Sequence, residues 1–127
     1  MTGVQTCALP ILASWSPEPH HQAFEGVLCG GICGALLDCH SNWTAIHHLM
    51  QKRGLTRAPA MVTAEFHVKF RRPTPMDAVL ELRARPVETD GDRVVVEATI
   101  EASGVVTASC RGTFVAVKEN HPARDKW

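Results

Sequence analysis

The sequence predicts an α+β domain in which an antiparallel sheet wraps around one long central helix. One long segment carries apolar residues at helical spacing. After it the apolar spacing switches to two, in four successive segments divided by turn residues. No second helical segment is present to cover the first, so the apolar face of the sheet must do so. The chain of 127 residues suits a single domain. Its composition, 45% apolar and 20% charged, argues against disorder. The absence of any repeat excludes collagen, coiled coil and repeat arrays.

In chain order, Leu12 to Trp15 is a short apolar stretch, expected as the tail of a strand. Ser16 to His21, with Pro17 and Pro19, reads as a loop. Gly30 and Gly31 open the helix. Its apolar residues Ile32, Leu36, Cys39, Trp43, Ile46 and Met50 fall at steps of 4, 3, 4, 3 and 4, and Ala35 and Leu49 widen the stripe. That stripe is the expected buried face. Lys52 and Arg53 suit the negative end of the helix dipole, and Gly54 is the expected stop.

Val62, Ala64, Phe66, Val68 and Phe70 then alternate with Thr63, Glu65, His67, Lys69 and Arg71, as in a half-buried strand. Arg72-Pro73-Thr74-Pro75 ends it, because proline cannot donate to a ladder. Leu80, Leu82 and Ala84 form the inward side of the next strand. Thr89-Asp90-Gly91-Asp92 is a hairpin turn signal. Val94, Val96, Ala98, Ile100 and Ala102 point inward on the strand that follows, and Ser103-Gly104 turns the chain again. Val106, Ala108, Cys110, Gly112, Phe114 and Ala116 complete the set. Val79, Val95, Val105, Val115 and Val117 fall on the outer side, which suggests an outer or edge surface that meets another subunit.

Residues 1–11 stand apart. Thr2 to Ile11 back-translate in frame to a common sequencing-library adapter, so this segment is expected to be an artefact, with the natural start upstream. Residues 12–118 are then one N-terminally truncated domain, and 119–127 a polar tail. Lys plus Arg and Asp plus Glu are 13 each, so charge gives no case for a nucleic-acid or membrane-surface partner. No apolar run reaches the roughly 20 residues that a membrane span needs. Cys29, Cys33, Cys39 and Cys110 lack a paired framework and sit in apolar patterns, which points to free thiols in a reducing, cytoplasmic compartment.

Asp38 is the candidate catalytic carboxylate, two turns into the helix among the apolar neighbours Leu36, Leu37 and Cys39. The alternative is an acid on the wet edge of the helix, paired to a histidine. Gly30 and Gly31 offer free N–H groups at the positive end of the dipole, where a carbonyl can accept and approach closely; the alternative is a simple tight turn. Asn42, one turn beyond Asp38, can position a water, and Trp43 is expected in the core or at a dimer contact. Arg71 and Arg72 either meet phosphates or end a strand in solvent. Cys29, Cys33, Cys39 and His40 do not fit a closed zinc pattern, so neither metal nor cofactor is expected. His47 and His48 read as a solvated or interface patch.

The predicted architecture is that of the hotdog fold, and the sequence resembles the acyl-CoA thioesterases of that fold, in particular the phenylacetate-pathway-like group. The residues that carry the resemblance are Cys29-Gly30-Gly31-Ile32-Cys33-Gly34-Ala35-Leu36-Leu37-Asp38, which parallels His-Gly-Gly-x-x-x-x-Leu-x-Asp. Upstream, His21-Gln22-Ala23-Phe24-Glu25-Gly26 parallels His-Gln-Gly-Phe-x-Gly, and downstream Phe70-Arg71-Arg72-Pro73-Thr74-Pro75 parallels an aromatic-x-Arg-Pro-x-Pro strand end. The resemblance implies hydrolysis of an acyl-CoA, with Asp38 as general base or nucleophile and Gly31 or Gly30 polarising the carbonyl. It also implies substrate contacts from His21, Gln22, Cys29, Asn42, Arg71 and Arg72, in a site built between the subunits of a homodimer or homotetramer. Cys29 replaces the motif histidine, and Ala23 stands where several relatives carry Gln or Asn. Those departures motivate the alternative of a non-catalytic acyl-binding protein.

Overall fold

A computed structural model describes residues 10–118. The predicted segment 1–11 therefore lies almost wholly outside the described residues, as does the polar tail. Strand β1 (Ile11–Trp15) leads through a 3-10 turn at Pro19–His21 to a small hairpin of β2 (Gln22–Phe24) and β3 (Val27–Leu28). Helix α1 (Gly30–Arg53) follows, then β4 (Met61–Phe70), β5 (Leu80–Asp90), β6 (Arg93–Ala102) and β7 (Val105–Ala116). The five long strands form one antiparallel sheet in the order β1-β5-β6-β7-β4, and α1 packs across β4 to β7. This is the hotdog fold. No described helix is long and apolar enough to cross a membrane.

The helix ends as its sequence dictates. Gly54 adopts φ 65, a left-handed stop that glycine takes without Cβ strain, and its N–H returns to the Met50 carbonyl. Its buried face differs from the expected one. Cys33, Leu37, Ser41, Thr44, Ala45, Ile46 and Leu49 are buried, whereas Cys39 and Trp43 are exposed and Ile32, Leu36 and Met50 only half-buried. The buried stripe is rotated by about one residue, or 100°, from the line of large side chains. Small residues face the sheet, and Thr44 satisfies its hydroxyl on the His40 carbonyl at 2.8 Å. The helix can therefore lie close to the strands, with its bulkier residues left on the flank.

Turns match the residues that make them. Gly91, at φ 59, occupies the first central position of the two-residue β5–β6 turn, where a type II′ turn needs glycine. Ser103 and Gly104, at φ 50 and 80, both adopt positive φ, as a type I′ turn requires. Pro86 lies within β5, at a point beyond the reach of β1, so its missing N–H falls on an open edge.

Three bulges interrupt the strict alternation. Ala64 is an extra residue in β4, so Met61 and Thr63 face the helix in place of Val62 and Ala64. Thr107 is extra in β7, which puts Val105 rather than Val106 in line with inward Ala102. Val87 is extra in β5, and the strand continues past Arg85 to Asp90. The core joins Leu37 and Leu49 of the helix to Met61, Leu80, Val94, Val96, Ile100 and Phe114. Each fully buried large side chain stabilises the fold by about 1.5–3 kcal/mol. A chain of buried polar contacts, Cys33 Sγ to Thr74 Oγ1 (3.7 Å) and Thr74 Oγ1 to Thr107 Oγ1 (2.8 Å), ties the head of the helix to β7. His48 is not a solvated patch, since its Nε2 lies 2.8 Å from Thr89 Oγ1 of β5.

Candidate active site

Asp38 lies half-buried on the flank of α1. Its Oδ1 accepts a hydrogen bond from Thr63 Oγ1 at 2.8 Å. The bulge at Ala64 sets the facing of Thr63, which strict alternation placed on the outer side. Asp38 and Thr63 line a cavity of about 510 Å³, with Asn42, Trp43, Arg57 and Met61 among its walls. Asn42 follows Asp38 by four residues and shares its helix face. Its side-chain N–H donates to the Met61 carbonyl at 3.3 Å, which fixes the amide orientation. That leaves Asn42 Oδ1 buried without a partner. A stranded acceptor costs about 1–3 kcal/mol unless a donor from water or ligand reaches it. Asp38 and Asn42 thus line one cavity, while the Asn42 amide oxygen itself is buried. A water bound in the cavity can donate to the Asp38 carboxylate, which can take one of its protons.

The head of the helix is built from a separate group. Cys29 is the N-cap residue and makes no side-chain cap. Its carbonyl accepts from the N–H groups of Ile32 (3.0 Å) and Cys33 (3.2 Å). The N–H groups of Gly30 and Gly31 have no partner among the described residues. The Cys29 N–H donates to the His21 carbonyl at 2.9 Å, so the 3-10 turn is pinned to the helix start. The His21 ring accepts the Glu18 N–H on Nδ1 at 2.9 Å and packs 4.8 Å from the Trp15 ring centroid. Gln22 Oε1 accepts the Gly26 N–H at 2.8 Å and holds the β2–β3 turn. His21, Gln22, Cys29, Gly30 and Gly31 therefore gather at one end of the helix, while Asp38 lies about two turns and Asn42 about three turns further on. Gly31 and Asp38 fall on nearly the same face but are separated by roughly 10 Å along the axis. Within one chain they do not converge on a single carbonyl group.

Arg71 and Arg72 lie elsewhere again. Arg71 Nε donates to Ser109 Oγ at 3.2 Å, among outward-facing residues of the sheet, and Arg72 is exposed at the strand end. Neither lines the Asp38 cavity. Cys29, Cys33, Cys39 and Cys110 are free thiols. Burial pushes the Cys33 and Cys110 thiols above the usual range. Among the described residues, Glu18, His20 and His21 have potential metal-ligand atoms within 4.8 Å of one another, in an exposed turn.

Thr63 is the residue that sequence reasoning missed. The only local signal was a polar β-branched residue beside a small one, which does not announce a bulge.

Comparisons with known proteins agree with this architecture. Residues 26–116 match the family model described as thioesterase superfamily. No curated protein matches the sequence. Among solved structures, a thioesterase superfamily protein from Shewanella loihica is 30% identical, with 87% of this chain and 86% of that one covered at a TM-score of 0.72. A Bacillus halodurans protein solved with CoA is 25% identical, covering 86% of this chain and 68% of that one at a TM-score of 0.68. A hypothetical thioesterase from Streptococcus pneumoniae, solved with coenzyme A, is 16% identical over 90% of this chain and 86% of that one, with a TM-score of 0.73, and at that identity it speaks to the fold alone.

Proposed function

We propose that this chain, which belongs to the thioesterase superfamily, hydrolyses an acyl-CoA to the free acid and coenzyme A, with Asp38 as its catalytic carboxylate. The observation that carries the reading is the Asp38 carboxylate, oriented by Thr63 in a cavity that Asn42 also lines. In the general-base form, Asp38 takes a proton from a water whose oxygen attacks the thioester carbon. The carbonyl oxygen gains negative charge and is held by the Gly31 or Gly30 N–H at the positive end of the helix dipole. The C–S bond then breaks, and the departing thiolate takes up a proton to become the coenzyme A thiol. In the nucleophile form the carboxylate oxygen itself attacks the thioester carbon and expels the thiolate, which is protonated to the coenzyme A thiol, and water then hydrolyses the resulting anhydride to the free acid and the restored Asp38 carboxylate.

The roughly 10 Å between Gly31 and Asp38 calls for a second copy. One chain supplies the carboxylate and the other the amide, in a homodimer or in a homotetramer built from such pairs. Exposed Trp43, 61% accessible beside the Asp38 cavity, and the half-buried helix residues Ile32 and Leu36 support such a contact. His21, Gln22 and Cys29 would frame the acyl entrance, Asn42 the water, and Arg71 and Arg72 the phosphates of coenzyme A. The motif order supports the phenylacetate-pathway-like group, and the free thiols support a reducing, cytoplasmic setting.

A second reading rests on Cys29. A thiol replaces the motif imidazole, so the protein would bind acyl-CoA without turnover. One experiment separates the two. The purified chain is assayed for thiol release across a panel of acyl-CoAs, with thermal melts alongside. Turnover abolished by Asp38→Asn supports hydrolysis. Acyl-CoA-dependent stabilisation with no turnover supports the binding protein, and neither effect with any member of the panel refutes both.

A further inference from the structure

The outer face of the sheet, opposite the helix, carries an open groove of about 830 Å³. Strand register explains its shape. Arg83, Thr99, Ser109 and Lys69 align across β5, β6, β7 and β4. Two short hydroxyl residues on the central strands thus sit between long cationic side chains on the flanking ones. With strands about 4.8 Å apart, the two rims stand roughly 14 Å from each other. Arg85 adds to the β5 rim and Arg71 to the β4 rim, where its Nε is held by Ser109 Oγ at 3.2 Å.

Five cations, Lys69, Arg71, Arg83, Arg85 and Arg111, meet four carboxylates, Glu65, Glu88, Glu97 and Glu101, so the groove keeps a surplus of one positive charge, placed on the unpaired rims. Arg111 is forked between Glu97 (2.8 Å) and Glu88 (2.6 Å), and Arg83 binds Glu101 at 2.7 Å. Lys69, Arg71 and Arg85 have no acidic partner among the described residues, and Glu65 is the one further acid in the lining. The whole chain has a formal charge of zero, so this surplus is local. Cations on two rims this far apart can grip one anion only if it carries charge at more than one point. Arginine forks and a threonine hydroxyl match phosphate oxygens.

We propose that the outer face of the sheet is a binding site for a small polyphosphate anion, distinct from the Asp38 cavity. The site holds its ligand between the cations of β5 and those of β4, with the Thr99 hydroxyl on the floor. Two sources share this chemistry: a free polyphosphate, as in a nucleotide, and the phosphate-bearing end of coenzyme A.

Calorimetry on the full chain tests the site with inorganic tripolyphosphate as the probe, at low salt and again near 0.15 M, and with coenzyme A in a parallel titration. Tripolyphosphate is expected to bind once per chain, more weakly as salt rises. The double variant Lys69→Ser/Arg85→Ser, and separately Thr99→Asp, should each weaken it by about tenfold or more. Lys52→Ser, on the exposed last turn of the helix, should leave binding unchanged. So should Asp38→Asn, which makes the test independent of hydrolysis. If the groove variants also weaken coenzyme A, the occupant is the phosphate end of that molecule. If they spare coenzyme A, it is a separate polyphosphate. Absence of tripolyphosphate binding at low salt, equal weakening by Lys52→Ser, or a change in oligomeric mass in the groove variants overturns the proposal.

Discussion

Replacing Thr63 by valine removes one hydroxyl and keeps the β-branched shape. In the wild type that hydroxyl donates to Asp38 Oδ1 at 2.8 Å. Hydrogen bonds to charged groups contribute about 1.5–3 kcal/mol, and the exposure of Thr63 puts this one at the lower end or below. The loss in folding stability should therefore be about 1 kcal/mol. Its effect on the reaction should be more selective. A carboxylate free to turn on its χ angles spends less time aimed at the water, and each 1.4 kcal/mol lost in the transition state lowers the rate about tenfold. Thr63→Val should thus lower kcat by roughly tenfold, with KM nearly unchanged, because the hydroxyl contacts the acid and not the substrate. Thr63→Ser keeps the donor and should stay within about threefold of wild type. The assay is steady-state thiol release from the best acyl-CoA of the panel, with urea melts of each variant as the control for folding. Full kcat in Thr63→Val, or equal losses in both variants, would refute the positioning role.

Other expectations concern the scaffold. A Cβ on Gly112 would lie 2.8 Å from the Phe114 ring, which is fully buried, so Gly112→Ala should cost about 1–3 kcal/mol in a denaturant melt and Gly112→Ala/Phe114→Leu should recover part of it. Burial, aided by the charges of Lys52 and His47, lowers the His48 pKa below its ordinary 6.5. The unfolded chain then binds the extra proton first as pH falls through 6.5, so stability should drop below that pH and stay level above it. His48→Gln should reduce the difference between urea midpoints at pH 7.5 and 5.5, and an unchanged difference would contradict the linkage. Exposed Cys39 should alkylate in the native protein, whereas Cys33 and Cys110, buried and with raised thiol pKa values, should react only on unfolding, as mass spectrometry of labelled peptides can read.

Much of the architecture was legible because it rests on periodicity and punctuation. The helix from Gly30 to Gly54, the two glycine-bearing hairpin turns and the inward rows of β5 and β6 all follow from residue spacing. What escaped is where packing overrules spacing. Large side chains mark the helix face expected inside, but close approach to the sheet favours Cys33, Ser41, Thr44 and Ala45, and Trp43 is left outside. Bulges at Ala64, Val87 and Thr107 shift the phase of three strands, and a bulge has no reliable signature in one sequence. The hairpin of β2 and β3 is only five residues of strand, too short to show alternation. Asp38 was legible as a candidate from its motif. Its partner Thr63 depends on a bulge, and so it was not.

A mixing experiment reaches the central claim, that one copy supplies the carboxylate and another the amide. Gly31→Pro removes the N–H at a first-turn position where proline is tolerated, and Asp38→Asn removes the base. Each variant alone should be inactive. When the two are unfolded together and refolded in equal amounts, half of the pairs are mixed and each holds one intact site, so activity should return to about a quarter of wild type. Full activity in Gly31→Pro alone would move the donor to Gly30, and no recovery in refolded mixtures that mass measurement shows to contain mixed pairs would contradict the shared site.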